Sequence, residues 1–331
     1  MSKIVVISGV AGMTGSKTAE YLLNKGYKVV GFDNFFCGSR VVIEELQKKY
    51  DKDFIFFEFD INNKYQMDDL FNLVGLSDDE TWFINCAAVV HTKHFYEPES
   101  TFQTNVLAMK DTLQRCISKG YTRYINCSTS EVYSMKSWVE GGTKEDEPIL
   151  LATAEQSLRT SYATGKLMTE FFLKDAVEKG LIKGCSMRFA NVYSPDEIYN
   201  DHIIPHIIDS IEKENKVVLL ENAKETRRTF LNNHDSCMAV IKLLENEESL
   251  DGSIYNVGTK EEIYIVDLVK TISRLMNKND VEIEFKGIRT ADPPRRLLNV
   301  SKIENRVNWK PEITLEHGLK ECIAKRIKKE L

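Results

Sequence analysis

A short apolar stretch, a glycine-rich turn and an amphipathic segment open the chain. Lys3 to Ser8 has the pattern of a β-strand, and the helical pattern that follows ends at Gly26. Between them Gly9, Gly12 and Gly15 are spaced G-x-x-G-x-x-G. A turn without side chains lets the backbone approach a pyrophosphate at the N-terminus of the helix. The feature predicts the strand, turn and helix that begin a dinucleotide-binding sheet, with a tight turn that binds no ligand as the alternative.

The same alternation of strand and helix continues along the chain. Further apolar runs occur at Lys28 to Phe32, Phe54 to Phe59, Trp82 to Asn85, Arg123 to Cys127 and Cys185 to Phe189. Their spacing leaves room for crossover helices and predicts an α/β fold with a Rossmann-type, doubly wound parallel sheet. After Arg188, prolines separate shorter elements, which indicates a smaller and partly discontinuous C-terminal substrate lobe. We expect a dinucleotide-binding domain at residues 1–187 and about 226–255, and the lobe at 188–225 and 256–331.

Composition excludes several classes of protein. No apolar run reaches the ~20 residues that span a bilayer, and the strand pattern starts too early for a signal peptide, so no membrane partner and a cytoplasmic location are expected. The net charge of -6 argues against nucleic acid as a partner. Seven scattered cysteines without a C-x-x-C pair argue against a disulfide framework and a zinc site.

Acidic and small residues follow the next predicted strands. Asp33 ends the second strand, where a carboxylate accepts hydrogen bonds from the adenine ribose and repels a 2′-phosphate. NAD is therefore predicted as the cofactor in preference to NADP. Asp60 and Ile61 close the third strand near the expected adenine site, and Ala87 and Ala88 follow the fourth. Either pair alone is also compatible with ordinary strand-end chemistry.

A candidate reactive pair lies further along the chain. Tyr162 and Lys166 form Y-x-x-x-K, a spacing that places both on one helix face, where the ammonium group lowers the pKa of the phenol. The run from Ser128 to Tyr133 directly follows the fifth strand and therefore lies at the ligand-binding edge of the sheet. The alternative for its hydroxyl groups is helix capping.

Together these motifs resemble the extended short-chain dehydrogenase/reductases, specifically the NAD-dependent nucleotide-sugar epimerase/dehydratase group. The resemblance extends over nearly the whole chain and includes the glycine turn, Asp33, Asp60, Cys86-Ala87-Ala88, Asn105, Ser128 to Tyr133, Tyr162 with Lys166, Arg188 to Tyr193, Arg228 to Phe230 with Asp235, Tyr255 to Gly258 and Trp309 to Pro311. It implies a cofactor-binding set of Gly9, Gly12, Met13, Gly15, Asp33, Asn34, Asp60, Ile61, Ala87, Ala88, Asn105, Ser128, Tyr162 and Lys166.

The resemblance also implies a catalytic set and a reaction. Tyr162 would take the proton of the sugar 4-hydroxyl while hydride leaves C4, with Lys166 and Thr129 supporting the phenolate. Glu131 resembles the acid/base of 4,6-dehydratases, and this reaction is favoured. UDP-glucuronate decarboxylases share a similar Thr-Ser-Glu run, and the segments Arg159 to Tyr162 and Asp292 to Arg295 of this chain also resemble theirs. Decarboxylation therefore stays open, as does 4-epimerisation. A net NAD-dependent sugar dehydrogenase and a non-catalytic binding protein are the alternatives of other classes.

The expected substrate is a nucleotide diphosphate sugar. Asn191 and Arg228 match positions that hold the diphosphate in the family, and Arg295 or Arg296 adds a cationic contact. His91 and Ser130 complete the predicted substrate-binding set, and no metal site is expected. Family members typically form homodimers through a four-helix contact, here the helix near Thr101 to Ser118 with the one that carries Tyr162.

Overall fold

A central parallel sheet organises the molecule. The structure, a computed structural model, describes residues 3–74, 80–135 and 139–328. The strands are β1 Lys3–Ser8, β2 Lys28–Asp33, β3 Phe54–Glu58, β4 Glu80–Asn85, β5 Arg123–Thr129, β6 Lys183–Phe189, β7 Asn191–Tyr193, β8 Lys216–Leu219, β9 Arg227–Asn232, β10 Asp251–Val257, β11 Glu262–Tyr264 and β12 Glu282–Phe285. Seven of them form one sheet in the order β10-β6-β5-β4-β1-β2-β3, with every pair parallel. The predicted doubly wound sheet is confirmed.

Helices cover both faces of this sheet. They are α1 Met13–Asn24, α2 Arg40–Tyr50, α3 Lys64–Val74, α4 Pro98–Thr101, α5 Met109–Ser118, α6 Thr160–Glu178, α7 Ile203–Glu214, α8 Asn233–Glu245, α9 Ile265–Leu275, α10 Ser301–Val307 and α11 Leu315–Lys328. Val5 and Ile7 of β1 pack with α1, α2 and α8, whereas Val6 packs with α3 and α5. Because both faces of the inner strands are buried, these strands have continuous apolar runs in the sequence.

The segment predicted as one helix from Thr101 to Ser118 has an internal irregularity. Residues Phe102–Ala108, between α4 and α5, form a π-helix in which Asn105, Val106 and Ala108 are buried. The wider turn of a π-helix shifts the direction of the side chains that follow it, and such segments often lie at functional sites. This one contacts α6, the helix that carries Tyr162 and Lys166.

Two small sheets accompany the large one. β7 pairs in parallel with β9, and β9 pairs antiparallel with β11, while β8 pairs with β12. Their core contains apolar residues of α7, α9 and α11, including Ile207, Leu268 and Leu319. β9 lies inside the 226–255 segment predicted for the dinucleotide domain but belongs to the three-stranded sheet; α8 and β10 are the elements of this segment that return to the large sheet. The exact domain division stays a prediction.

The strand order changes direction beside β1, which lies between β2 and β4. Connections on its two sides leave to opposite faces, so a crevice opens at the carboxyl ends of these strands. No helix in the described ranges is long and apolar enough to cross a membrane.

Candidate active site

A cleft of about 810 Å³ opens at this crevice, between the large sheet and the small sheets. Residues from both parts line it. The predicted site residues on its walls are Gly9, Gly12, Met13, Gly15, Asp33, Asn34, Asp60, Ile61, Ala87, Ala88, Ser128, Thr129, Glu131, Tyr162, Lys166, Asn191 and Arg228. The fold therefore brings most of the predicted residues, which are distant in sequence, into one continuous space.

The glycine turn has a backbone that other residues would disrupt. Gly9 has a φ of +68°, and a Cβ atom there would lie 2.8 Å from the Cα atom of Ala87. A Cβ atom at Gly15 would clash with the carbonyl oxygen of Gly9. Gly12 is the N-cap of α1 and provides no side-chain cap. The first amides of α1 thus face the cleft without a capping side chain, an arrangement that fits the pyrophosphate of a dinucleotide.

Asp33 is held in one orientation at the end of β2. Its carboxylate accepts hydrogen bonds from the amides of Ala11 (3.0 Å) and Phe35 (2.8 Å). Burial raises the pKa of Asp33, and these amides oppose that effect. The neighbouring Asn34 donates to Asp60 at 3.2 Å, which links the ends of β2 and β3. The two carboxylates at this end of the cleft suit ribose hydroxyls and disfavour a further phosphate.

We expect the wild-type protein to bind NAD more tightly than NADP. Asp33→Asn should reduce this preference by at least about tenfold, because it removes the charge that repels a 2′-phosphate. Titration of both cofactors into both proteins measures the change, and Asp53→Asn, at an exposed position, is the control. Equal affinities of the wild type for the two cofactors would contradict the role of Asp33.

Four predicted residues do not line the cleft. Asn105 accepts from the Val89 amide at 2.7 Å and donates to the Val89 carbonyl, so it anchors the loop that carries Ala87 and Ala88. Buried His91 lies with Nε2 3.4 Å from a carboxylate oxygen of Asp201. Ser130 is buried. Arg295 forms hydrogen bonds with Glu262 on β11. Direct ligand binding by these four stays a prediction, and their geometry does not support it.

Tyr162 and Lys166 lie on one face of α6, as their spacing predicts. The Tyr162 ring stacks on Phe95 with a centroid distance of 3.9 Å. Burial and the Glu131 carboxylate raise the pKa of Tyr162, whereas a hydrogen bond with Thr129 lowers it. Lys166 donates from Nζ to the carbonyl oxygen of Cys127 at 2.5 Å, and burial lowers the pKa of this lysine. In this arrangement the hydrogen bond with Thr129 and the charge of Arg159 favour the phenolate.

The role of Thr129 predicts a shift in pH dependence. Thr129→Val removes a hydrogen bond that lowers the pKa of Tyr162, so that pKa rises and the phenolate forms at higher pH. The limb of the pH–rate profile that rises with pH should therefore move to higher pH, and Ser130→Ala is the control. Initial rates across a pH series measure the shift. A shift to lower pH, or none, would exclude Thr129 as the group that tunes Tyr162.

Glu131 lies between two arginines. Its Oε1 accepts from Arg159 Nη2 at 3.0 Å and from Arg296 Nη1 at 2.8 Å. Burial acts to raise the pKa of Glu131, but the two guanidinium groups outweigh it and hold that pKa far below its ordinary value. Arg228 pairs with Asp292 at 2.6 Å beside them. Arg289 also lies 3.8 Å from Asp292. Four cationic groups thus face two carboxylates, and the cluster has an excess of positive charge.

Part of this cluster was not in the predicted site. Arg159 precedes Tyr162 by three residues, which is the spacing of one helix face, and Arg296 follows Asp292 by four. These spacings are the signal available in the sequence. Nε and Nη2 of Arg296 are buried and have no hydrogen-bond partner among the residues that the structure describes, although Nη2 lies 3.8 Å from Asp292. No group of three or more residues in the described ranges has the side chains and geometry of a metal site.

Comparison with known proteins identifies the family. Residues 6–322 match the family described as GDP-mannose 4,6 dehydratase. The chain belongs to this family. It is an enzyme of the NAD-dependent nucleotide-sugar dehydratase, decarboxylase and epimerase type, and its cofactor is NAD.

Individual relatives have diverse activities. The chain is 26% identical to UDP-glucuronic acid decarboxylase 1 of Arabidopsis thaliana over 97% of its own length and 69% of that protein. It is 27% identical to the UDP-N-acetyl-alpha-D-glucosaminuronate decarboxylase of Bacillus cytotoxicus over 98% and 97% of the two chains. The crystal structure of Bacillus anthracis dTDP-glucose 4,6-dehydratase with NAD has a TM-score of 0.84 at 23% identity, over 99% and 98% of the chains.

Proposed function

We propose that this enzyme decarboxylates a nucleotide diphosphate hexuronate through a 4-keto intermediate. The observation that carries the proposal is the state of Glu131, whose carboxylate accepts from both Arg159 and Arg296 and whose pKa is far below its ordinary value. Such a group is a weak base and does not hold a proton at neutral pH. A reaction that needs an acid/base group at C5 and C6 is therefore disfavoured here. Decarboxylation needs none, because a 4-keto uronate is a β-keto acid.

The chain's own residues perform the proton transfer at C4. NAD supplies the acceptor for the C4 hydride. Tyr162 takes the proton of the 4-hydroxyl, and the hydrogen bond with Thr129 favours the phenolate form that accepts it. When the bond from C5 to the carboxylate breaks, its electron pair moves toward the C4 oxygen. Tyr162, now a phenol, donates a hydrogen bond to that oxygen, and a proton from water is then added at C5. The C4 ketone finally regains the hydride held on the cofactor while Tyr162 returns its proton to the C4 oxygen, so a pentose is released and NAD is again oxidised.

The charge balance of the cleft suits an anionic substrate. Burial and the charge of neighbouring Arg296 lower the pKa of Arg228 to about 10. The cationic groups in this region therefore repel one another. A bound anion relieves this repulsion. Asn191 and Arg228 are assigned to the diphosphate, and Arg159, on the cleft wall beside Tyr162, to the sugar carboxylate.

The second candidate is 4,6-dehydration, the reaction favoured on sequence grounds. Glu131 does lie on the cleft wall with Thr129 and Tyr162, which is the placement that a dehydratase requires. For that role the substrate would first have to draw both arginines away from Glu131. Decarboxylation requires no such rearrangement.

Product analysis with matched substrates tests the proposal. Each UDP-hexuronate is supplied in parallel with the corresponding neutral UDP-hexose, and products are identified by mass spectrometry. The expected product is a UDP-pentose formed from the uronate with release of carbon dioxide. Loss of water from the neutral hexose would instead establish dehydration, and an unchanged mass with inverted C4 would establish epimerisation.

A pair of variants tests the role of Arg159. Arg159→Gln should raise KM for the uronate by one to two orders of magnitude, since a hydrogen bond to a charged group contributes about 1.5 to 3 kcal/mol. Arg289→Gln, at a partly exposed arginine on the same cleft wall, is the matched control. If the two substitutions raise KM equally, the uronate responds only to the net positive charge of the cleft, and Arg159 has no specific contact with its carboxylate.

We also propose that the enzyme is a homodimer. Large apolar side chains are exposed on α6 and on the adjoining π-helix, with Phe171 62%, Met168 43% and Phe102 54% accessible. Because the two segments are in contact, these side chains form one apolar face, which supports the four-helix arrangement.

Phe171→Glu should convert the dimer into a monomer at micromolar concentration. It places a charge in the apolar face, whereas Ile288→Glu, at an exposed site in another part of the chain, should leave the dimer intact. Sedimentation velocity distinguishes the species. A wild-type protein that sediments only as a monomer would contradict the proposal.

A further inference from the structure

Two cysteines meet where β4 and β5 end at the cleft. β4 and β5 pair in parallel, with Asn85 opposite Asn126, and Cys86 and Cys127 are the next residues on the two strands. Their Sγ atoms lie 3.6 Å apart, and both residues line the cleft. Neighbouring strands are about 4.8 Å apart, a separation within the Cα range of about 4.4–6.8 Å that a disulfide spans. The backbone therefore places these thiols where a covalent bond requires only a small movement.

Each of these cysteines is attached to a different functional part of the cleft. The carbonyl oxygen of Cys127 accepts from Nζ of Lys166 at 2.5 Å. The amide of Cys86 donates a hydrogen bond to the carbonyl oxygen of Ser8, and the next residue, Ala87, packs against Gly9 of the cofactor turn. A bond between the sulfurs would shorten their separation from 3.6 Å to about 2.05 Å. Formation of this bond would therefore displace both Lys166 and Ala87.

We propose that Cys86 and Cys127 form a reversible disulfide when a hydroperoxide enters the cleft in the absence of NAD, and that this bond inactivates the enzyme. The thiolate of Cys127 attacks one peroxide oxygen, the oxygen–oxygen bond breaks, and a sulfenic acid forms while the other oxygen leaves as hydroxide. The Cys86 thiol then attacks the sulfenic sulfur, forming the disulfide and releasing water. Two thiols lose two electrons and two protons, and hydrogen peroxide is reduced to two molecules of water, or an organic hydroperoxide to one molecule of alcohol and one of water.

The local chemistry supports this assignment of the two steps. The hydrogen bond with Cys86, together with the charge of Lys166, lowers the pKa of Cys127, whereas the same hydrogen bond and burial raise the pKa of Cys86. Cys127 is thus the attacking sulfur and Cys86 the resolving one. Small cellular thiols reduce the product, so the inactivation is reversible.

Occupancy of the cleft by NAD should control the reaction. The thiols lie beside Ala87 and Lys166, on the wall assigned to the cofactor, so a bound dinucleotide blocks the approach of the oxidant. The oxidised protein, in turn, has Lys166 and Ala87 displaced and should bind NAD poorly. The two events are mutually exclusive in the same cleft.

The full-length protein, with its NAD removed, is treated with hydrogen peroxide in the presence and absence of saturating NAD. Without NAD, we expect a loss of mass equal to two hydrogen atoms, a peptide that joins Cys86 to Cys127, and a loss of activity of about 10²-fold, since small misplacements of catalytic groups have this effect. Dithiothreitol should restore the mass and the activity. With NAD present, the cross-linked peptide should be absent.

Variants provide the matched comparison, with each treated protein measured against its own untreated activity. Cys127→Ser should lack the loss that dithiothreitol reverses, because it removes the attacking sulfur, whereas Cys86→Ser should stop at the Cys127 sulfenic acid and form no cross-linked peptide. Cys37→Ser removes another cysteine of the cleft wall and should behave as the wild type does. Absence of a Cys86–Cys127 peptide from the treated NAD-free wild type would overturn the proposal, even if Cys86→Ser does not fold. A thiol-reversible loss that persists in Cys127→Ser would also overturn it.

Discussion

Tyr162→Phe is expected to lower turnover by about 10²- to 10⁴-fold, the range contributed by a positioned acid/base group. The substitution removes one oxygen atom, the one that takes the proton of the sugar hydroxyl. It retains the ring that stacks on Phe95 at 3.9 Å, so α6 and the cleft wall keep their packing. Steady-state turnover of the substrate identified by product analysis measures the effect.

Two further measurements distinguish loss of chemistry from loss of structure. NAD binding by Tyr162→Phe should match that of the wild type, because the glycine turn and Asp33 are unchanged. Substrate mixed with this variant should produce no enzyme-bound reduced NAD, since the first proton transfer fails. Near-normal turnover would show that another group accepts the proton, and the assignment of Tyr162 would be wrong.

The fold was predictable from local patterns. The inner strands of the large sheet are buried on both faces, and this burial requires the continuous apolar runs that are visible in the sequence. The turn of Gly9 to Gly15 was predictable because its backbone excludes other residues. Tyr162 and Lys166 were brought together correctly because a four-residue spacing has one meaning on a helix.

The state of Glu131 depends on distant residues and could not be predicted in this way. Its partner Arg296 lies 165 positions away, and the sequence does not show which of two adjacent arginines turns toward the cluster. Arg295 instead extends to Glu262, a partner that the position of β11 creates. Asn105 was assigned to the cofactor, but the π-helix directs it toward the backbone of Val89. In each case tertiary structure, rather than residue type, determines what a polar side chain contacts.

The second large expected effect is on the stability of the fold, and it arises from a buried ion pair behind the active site. Arg188 of β6 and Glu170 of α6 are each only 2% exposed at the side chain, and their closest contact is 2.6 Å. Glu170 also accepts from Ser128 at 2.6 Å, which joins the end of β5 to α6 one turn after Lys166. The ion pair therefore connects β6 with the helix that carries Tyr162, and the hydrogen bond from Ser128 connects the strand that carries Thr129 to the same carboxylate.

Arg188→Met should lower the free energy of unfolding by about 3–5 kcal/mol, because it leaves the Glu170 charge buried without its partner. The double variant Arg188→Met with Glu170→Met should recover much of this loss, since neither charge then remains in the interior. Urea unfolding followed by circular dichroism measures both proteins. Lys179→Met, which breaks an exposed ion pair with Asp175 on the same helix, should leave the free energy nearly unchanged. If the single and double variants of the buried pair are equally destabilised, lost packing rather than the unpaired carboxylate explains the effect, and the ion pair has no electrostatic role in holding β6 against α6.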